Sequence, residues 1–180
     1  MNKFKIITLS VFGFLTALST VAQEKMDLKN SRLEGINPQG EFYWWKNQAI
    51  NGGEATYSIE DTDVNQGSKK ALKVDVSALG PKPWFVSSQF NQKFKAKAGD
   101  EITVEFYGKK ISDTKAKIKL VFQSDVKGSF QGKDFFLTSE WKAYSTTFIV
   151  NEKSNKNQVK FWFMEAGSSY LIDDVSVSKK

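Results

Sequence analysis

The run Ile102-Thr103-Val104-Glu105-Phe106-Tyr107-Gly108-Lys109 alternates apolar and polar side chains over its first six positions. Successive side chains on a β-strand point to opposite faces, so Ile102, Val104 and Phe106 fall on one side and Thr103, Glu105 and Tyr107 on the other. The first set is predicted core. Ala116 to Gln123 repeats the pattern, with Ile118, Leu120 and Phe122 inward and Lys117, Lys119, Val121 and Gln123 outward. Val159 to Met164 places Val159, Phe161 and Phe163 inward and Lys160, Trp162 and Met164 outward, and an indole on the polar side of a strand is unusual. In the last run, Leu171, Asp173, Val175 and Val177 share one phase, which predicts Asp173 on the core side and Asp174 facing away.

That last run spans Tyr170 to Ser178, and five more complete the reading: Glu41 to Trp45, Ala55 to Glu60, Ala71 to Val76, Trp84 to Phe90 and Tyr144 to Val150. Turn chemistry separates them at Asn51-Gly52-Gly53, Gln66-Gly67-Ser68, Leu79-Gly80-Pro81, Ala98-Gly99-Asp100, Lys127-Gly128 and Ala166-Gly167. About nine short strands with no helical period predict an all-β chain, a sandwich or barrel. The chain has 180 residues, of which 14% are aromatic, enough apolar area for one packed domain and too much for a disordered one. It has no Cys and no His. That excludes disulfides, thiol and imidazole catalysis and Cys/His zinc sites, so a bound metal would be held by oxygen, as calcium or magnesium is.

The amino terminus reads as a signal peptide over residues 1–22: Lys3 and Lys5, an uncharged stretch from Ile6 to Thr20, and Thr20-Val21-Ala22 as a small-x-small cleavage site. The stretch is short for a membrane anchor, no Cys follows it for lipid attachment, and no later segment is apolar for long enough to span a bilayer. A secreted or periplasmic product is expected, with a flexible leader over 23–32 and one domain over 33–180. Losing Lys3 and Lys5 lowers the formal charge of +6 by two. The remaining lysines are scattered singly, which suits a solvated surface better than a nucleic-acid footprint.

A carboxylate facing a core needs a partner, so Asp173 either caps backbone amides or meets a lysine, or it binds calcium with loop carbonyls near Gln66 to Lys70 and Glu41. The outward set Tyr107, Gln123 and Trp162, accompanied by Glu105, Lys119 and Lys160, shares one surface where the three outward faces adjoin in one sheet. Such a surface could stack sugar rings on its aromatics and bond their hydroxyls through its amides. The alternative is that a loop over Gly128 to Phe136 covers Trp162 and makes a second small core. Trp44 and Trp45 cannot both face the core, so one lies at an edge or in a site that could include Trp84. The carboxylates Glu60, Asp61 and Asp63 cluster in a turn rather than alternating along a strand, which argues against a glycoside hydrolase.

Several landmarks in order resemble carbohydrate-binding modules of the family 4/9/22 type. They are Gly40-Glu41-Phe42 followed by Trp44 and Trp45, the loop Asn65 to Val74, the run Ala98 to Lys109, and the ending Tyr170-Leu171-Ile172-Asp173-Asp174-Val175-Ser176-Val177. Tyr43 departs from the glutamate usual in the opening motif. The resemblance implies a calcium-stapled β-sandwich jelly roll, with the ion held by Glu41, the main chain around Lys69, and Asp173. It also implies that Trp84, Val86 and Phe90 point inward and that Phe85, Ser87 and Gln89 join the outward surface. The function implied is that of a secreted, monomeric, non-catalytic module binding a polysaccharide, and the residues expected to contact it are Trp162, Tyr107, Gln123, Gln89, Phe85, Trp84 and Trp45. An adhesive domain with a protein partner and a glycoside-active enzyme are the alternatives.

Overall fold

The computed structural model describes residues 23–26, 28–126 and 129–180, so the expected signal peptide lies outside the described residues. Twelve strands follow in order: β1 (Glu24–Lys25), β2 (Trp45–Ala49), β3 (Gly53–Glu60), β4 (Ala71–Leu79), β5 (Val86–Phe90), β6 (Phe94–Ala96), β7 (Glu101–Lys110), β8 (Lys117–Gln123), β9 (Phe130–Phe136), β10 (Lys142–Ile149), β11 (Ser154–Phe163) and β12 (Ser168–Lys179). They form two antiparallel sheets. The first runs β10-β7-β12-β4-β3 with β1 on β12; the second runs β2-β5-β11-β8-β9 with β6 on β11.

The inward phases read from the sequence meet between the sheets. Ile102, Val104 and Phe106 from the first sheet, and Ile118, Leu120, Val159, Phe161 and Phe163 from the second, are all fully buried. Phe161 joins the layers, its ring lying 5.1 Å from Phe106 across the sandwich and 6.0 Å from Trp45, on which it stacks. Paired rings add to the stabilisation that their area alone gives.

Nine of the twelve strands answer to the runs found in the sequence, although the opening strand begins where it was expected to end, at Trp45. The three additions are β1, β6 and β9. The last of these replaces the expected loop over Gly128 to Phe136. Its apolar residues sit only at the ends of Phe-Gln-Gly-Lys-Asp-Phe-Phe, and as an edge strand it needs no continuous apolar face. The segment expected as a leader is also engaged: Glu24 and Lys25 pair with Lys179 and Ser178, and Leu28 packs in the core.

The last strand corrects the placement of Asp173. Tyr170 and Ile172 lie in the inter-sheet core, as do Val175 and Val177, so the phase slips between them. The register shifts between Asp173 and Ser176, which pair with Tyr107 and Glu105, leaving Asp174 and Val175 opposite the single residue Phe106. Asp174 takes φ of 46°, the left-handed backbone of a bulge. Asp173 therefore shares the outer face with Tyr107, yet it is fully buried there.

Because Phe161 contacts both sheets, Phe161→Ala should destabilise the fold by about 3 to 5 kcal/mol through lost transfer energy and a residual cavity. Urea denaturation measures it, and a loss below about 1 kcal/mol would show that the layers are held elsewhere.

Candidate functional site

The outer face of the second sheet carries a hollow of about 300 Å³ lined by Gln48, Trp84, Ser87, Gln89, Gln123, Phe130, Lys160 and Trp162. Strand register explains the grouping. Trp162 pairs with Ser87, which pairs with Gln48, and Lys160 pairs with Gln89 one row away. Gln123 pairs with Phe130 on the far side. Since Phe161 is committed to the core, its neighbours Lys160 and Trp162 must point outward.

Three rings cross the hollow. Trp162 lies between Trp84 and Phe130, 5.8 Å from each centroid and tilted to both. Trp162 is 8% exposed and forms the floor, while Trp84 at 41% and Phe130 at 56% offer open ring faces as walls. The loop bearing Trp84 is fixed by Gln48 Nε2, which donates to the Trp84 carbonyl at 3.1 Å. The same loop turns at Gly80 with φ of +70°, where a Cβ would stand 2.8 Å from the Gly53 amide nitrogen, so only glycine fits against the neighbouring turn. Among the lining residues there is no carboxylate.

The structure brings together Trp84, Gln89, Gln123 and Trp162 of the residues expected to touch ligand, and separates the others. Tyr107 is on β7 of the first sheet, so its outward ring is on the opposite side of the sandwich, beside Arg32, Glu105 and Asp174. Trp45 is buried in the core against Phe90 and Phe161. Its neighbour Trp44 takes φ of 68° and stays exposed, beneath the Lys29 ammonium. Trp84 does not point inward, because it precedes β5 and its ring turns to Trp162. Phe85 is buried instead, edge-on to Trp84, and does not line the hollow. Phe130 and Gln48 were missed. Phe130 fell in the supposed loop, and Gln48 lies just beyond the run read as the opening strand.

A second cleft of about 340 Å³ opens beside β2 and β3, lined by Glu41, Asn47, Tyr57 and Ile59 among others. Two of its polar groups are already engaged. The Tyr57 hydroxyl donates to the Gln48 carbonyl at 2.6 Å, and Asn47 Oδ1 accepts from Ser88 Oγ at 2.7 Å.

Asp173 lies under the Asn65–Ser68 loop. Its Oδ1 accepts the Asp174 amide at 2.7 Å, while its Oδ2 is buried with no hydrogen-bond partner among the described residues. Burial pushes its pKa up to about 7, against the Asp174 amide, which favours the anion. An orphaned buried oxygen suits a cation ligand, and the main chain of residues 65–68 offers further oxygens. The rest of the expected ligand set is not assembled. Glu41 accepts from the Asn37 carboxamide at 3.2 Å, and the Lys69 amide donates to Glu34, not to a metal shell, at 2.7 Å. Arg32 occupies part of the loop, donating to the Gly67 carbonyl at 2.8 Å and to Asp174 at 3.1 Å. No group of three or more acidic side chains among the described residues could hold a metal.

No protein-family model and no curated protein sequence matches the chain. Solved structures do. A family 4 carbohydrate-binding module is similar with a TM-score of 0.62 and 18% identity, over 85% of this chain and 99% of that one. The xylan-binding family 22 domain of Paenibacillus barcinonensis Xyn10C gives 0.56 and 15%, over 82% and 90%. A family 61 module in complex with β-1,4-galactotriose gives 0.55 and 22%, over 83% and 95%. The chain has the β-sandwich jelly-roll fold of these modules.

With chelator present, folded Asp173 keeps its proton up to about pH 7, whereas the unfolded chain releases it near 3.8. The stability it contributes is whole below the lower value, falls as pH rises between the two, and is gone above the higher. Denaturation from pH 4 to 8 should show that fall, and Asp173→Asn should flatten it. An unchanged slope in the variant would mean that another group takes up the proton.

Proposed function

We propose that the protein is an exported, non-catalytic module that binds a polysaccharide in the hollow on the second sheet. The observation that carries this reading is the run of rings Trp84, Trp162 and Phe130 beside Gln48, Gln89 and Gln123. Sugar rings present flat C–H faces that stack on aromatics, and their hydroxyls suit planar amides that both donate and accept. The names of two similar structures, a xylan-binding domain and a galactotriose complex, support the same reading. A non-catalytic role is supported by the chemistry of the hollow: glycoside hydrolysis uses two carboxylates flanking the bond, and none lines it. Export rests on the amino-terminal sequence. No helix among the described residues is long and apolar enough to cross a membrane.

The proposal extends to a structural calcium ion held by Asp173 Oδ2 and main-chain oxygens of residues 65–68, without Glu41. Such an ion would supply the positive charge that lets the buried carboxylate ionise. At a hundredfold excess over its Kd, calcium should stabilise the fold by about 2.7 kcal/mol. Melting should rise with calcium, fall with chelator, and lose that difference in Asp173→Ala. Equal melting temperatures for the parent protein in calcium and in chelator would remove the ion from the account.

Glycan binding is tested by affinity electrophoresis against a panel of soluble polysaccharides. Trp84→Ala and Phe130→Ala should each weaken retention about five- to a hundredfold, the worth of one stacking contact, with melting unchanged. Trp162→Ala should lower both retention and stability, because its ring is floor as well as contact. Full retention by the Trp84 and Phe130 variants would move the site away from the hollow.

A further inference from the structure

The charges that act on Lys160 in the hollow are of one sign, whereas Asp134 stands two strands from Trp162 on its row and is paired with Lys119. Lys46, Gln89 and Lys160 are register partners across β2, β5 and β11, so the two lysines sit on one transverse row about 10 Å apart, two inter-strand spacings. This row lies roughly 7 Å along the strands from the row that holds Trp162 and Gln48. Lys93, in the turn after β5, adds its charge to the same region, and burial together with Lys93 and Lys46 lowers the pKa of Lys160. None of the three lysines makes an ion pair among the described residues.

Carboxylates are supplied elsewhere on the same sheet. Lys117 and Lys119 on β8 both meet Asp134 on β9, at 2.9 and 2.5 Å. Lys160 is half-buried with two like charges near it and no counter-ion among the described residues. That arrangement destabilises the fold on its own account and is relieved by a bound anion. A surface for neutral sugars has no need of it, because amides alone satisfy hydroxyls.

We propose, building on the glycan reading above, that the hollow selects an anionic polysaccharide bearing carboxylate or sulfate groups. Sugar rings lie against Trp84 and Phe130, and the acidic groups reach Lys160 and Lys46. The absence of lining carboxylates follows, since a carboxylate there would repel the ligand.

The test is titration calorimetry at fixed ionic strength with matched pairs: polygalacturonate and its methyl ester, and carrageenan and its desulfated form, with neutral xylan, laminarin and galactan alongside. The acidic member of a pair should bind more tightly than its neutralised partner. The pair that responds names the source of the charge, carboxylate or sulfate. Lys160→Gln should weaken acidic binding roughly ten- to a hundredfold, the worth of a charge-assisted hydrogen bond, whereas Lys115→Gln, an exposed lysine outside the hollow, should not. Melting curves establish that each variant folds, and Lys46→Gln, at an exposed position, replaces Lys160→Gln if that variant does not. Equal binding of both members of each pair, or an unchanged affinity in Lys160→Gln, overturns the acidic assignment and leaves a neutral-sugar site. Equal weakening by Lys115→Gln overturns it in favour of overall charge. Failure of every polymer to bind overturns both this assignment and the glycan reading.

Discussion

Adjacent residues on a strand must face opposite ways, and β11 uses that constraint to build both the core and the hollow. Phe161 lies between Trp45 on one side and Phe106 of the other sheet, an arrangement that holds the two layers together. Once Phe161 is fixed inward, Lys160 and Trp162 are fixed outward at neighbouring rows. Trp162 stays largely covered because Trp84 and Phe130 lean over it from either side. The hollow is thus a by-product of packing with side chains chosen for another purpose. Its floor is rigid because the strand beneath it belongs to the core.

A second constraint operates on the opposite face. The bulge at Asp174 shifts the phase of β12, which turns Asp173 outward beneath the Asn65–Ser68 loop while returning Val175 and Val177 to the core. Arg32 ties the same loop to Asp174 and to the amino-terminal segment. A buried carboxylate with one oxygen unpartnered among the described residues sits at the meeting point of three pieces of chain, where protonation or a cation would act on the stability of all three. The Asp63 carboxylate makes a comparable tie, joining Lys109 at 2.6 Å to the Trp141 indole at 3.0 Å.

The alternation in residues 102–106 of β7, 118–122 of β8 and 159–163 of β11 was legible in the sequence because one face of each of these stretches is apolar, and that was enough for the fold class. Three features were not legible. A bulge inserts one residue without altering the local pattern, so Leu171, Asp173, Val175 and Val177 read as one phase when two are present. An edge strand such as β9 lacks a continuous apolar side, so it read as a loop and concealed Phe130. Alternation also assigns faces within a strand but not strands to sheets, which is why Tyr107 was expected beside Trp162 when the thickness of the sandwich separates them. Trp162 itself was visible as an indole out of phase with its apolar neighbours.

The central claim is that a polysaccharide lies across Trp84, Trp162 and Phe130. It is tested most directly by the crystal structure of the protein with an oligosaccharide cut from a polymer that it retains. The account predicts a sugar ring against Trp84 or Phe130, with its hydroxyls bonded to Gln48, Gln89 or Gln123. A sugar bound instead in the cleft beside β2 and β3, or on the face that carries Tyr107, would contradict it.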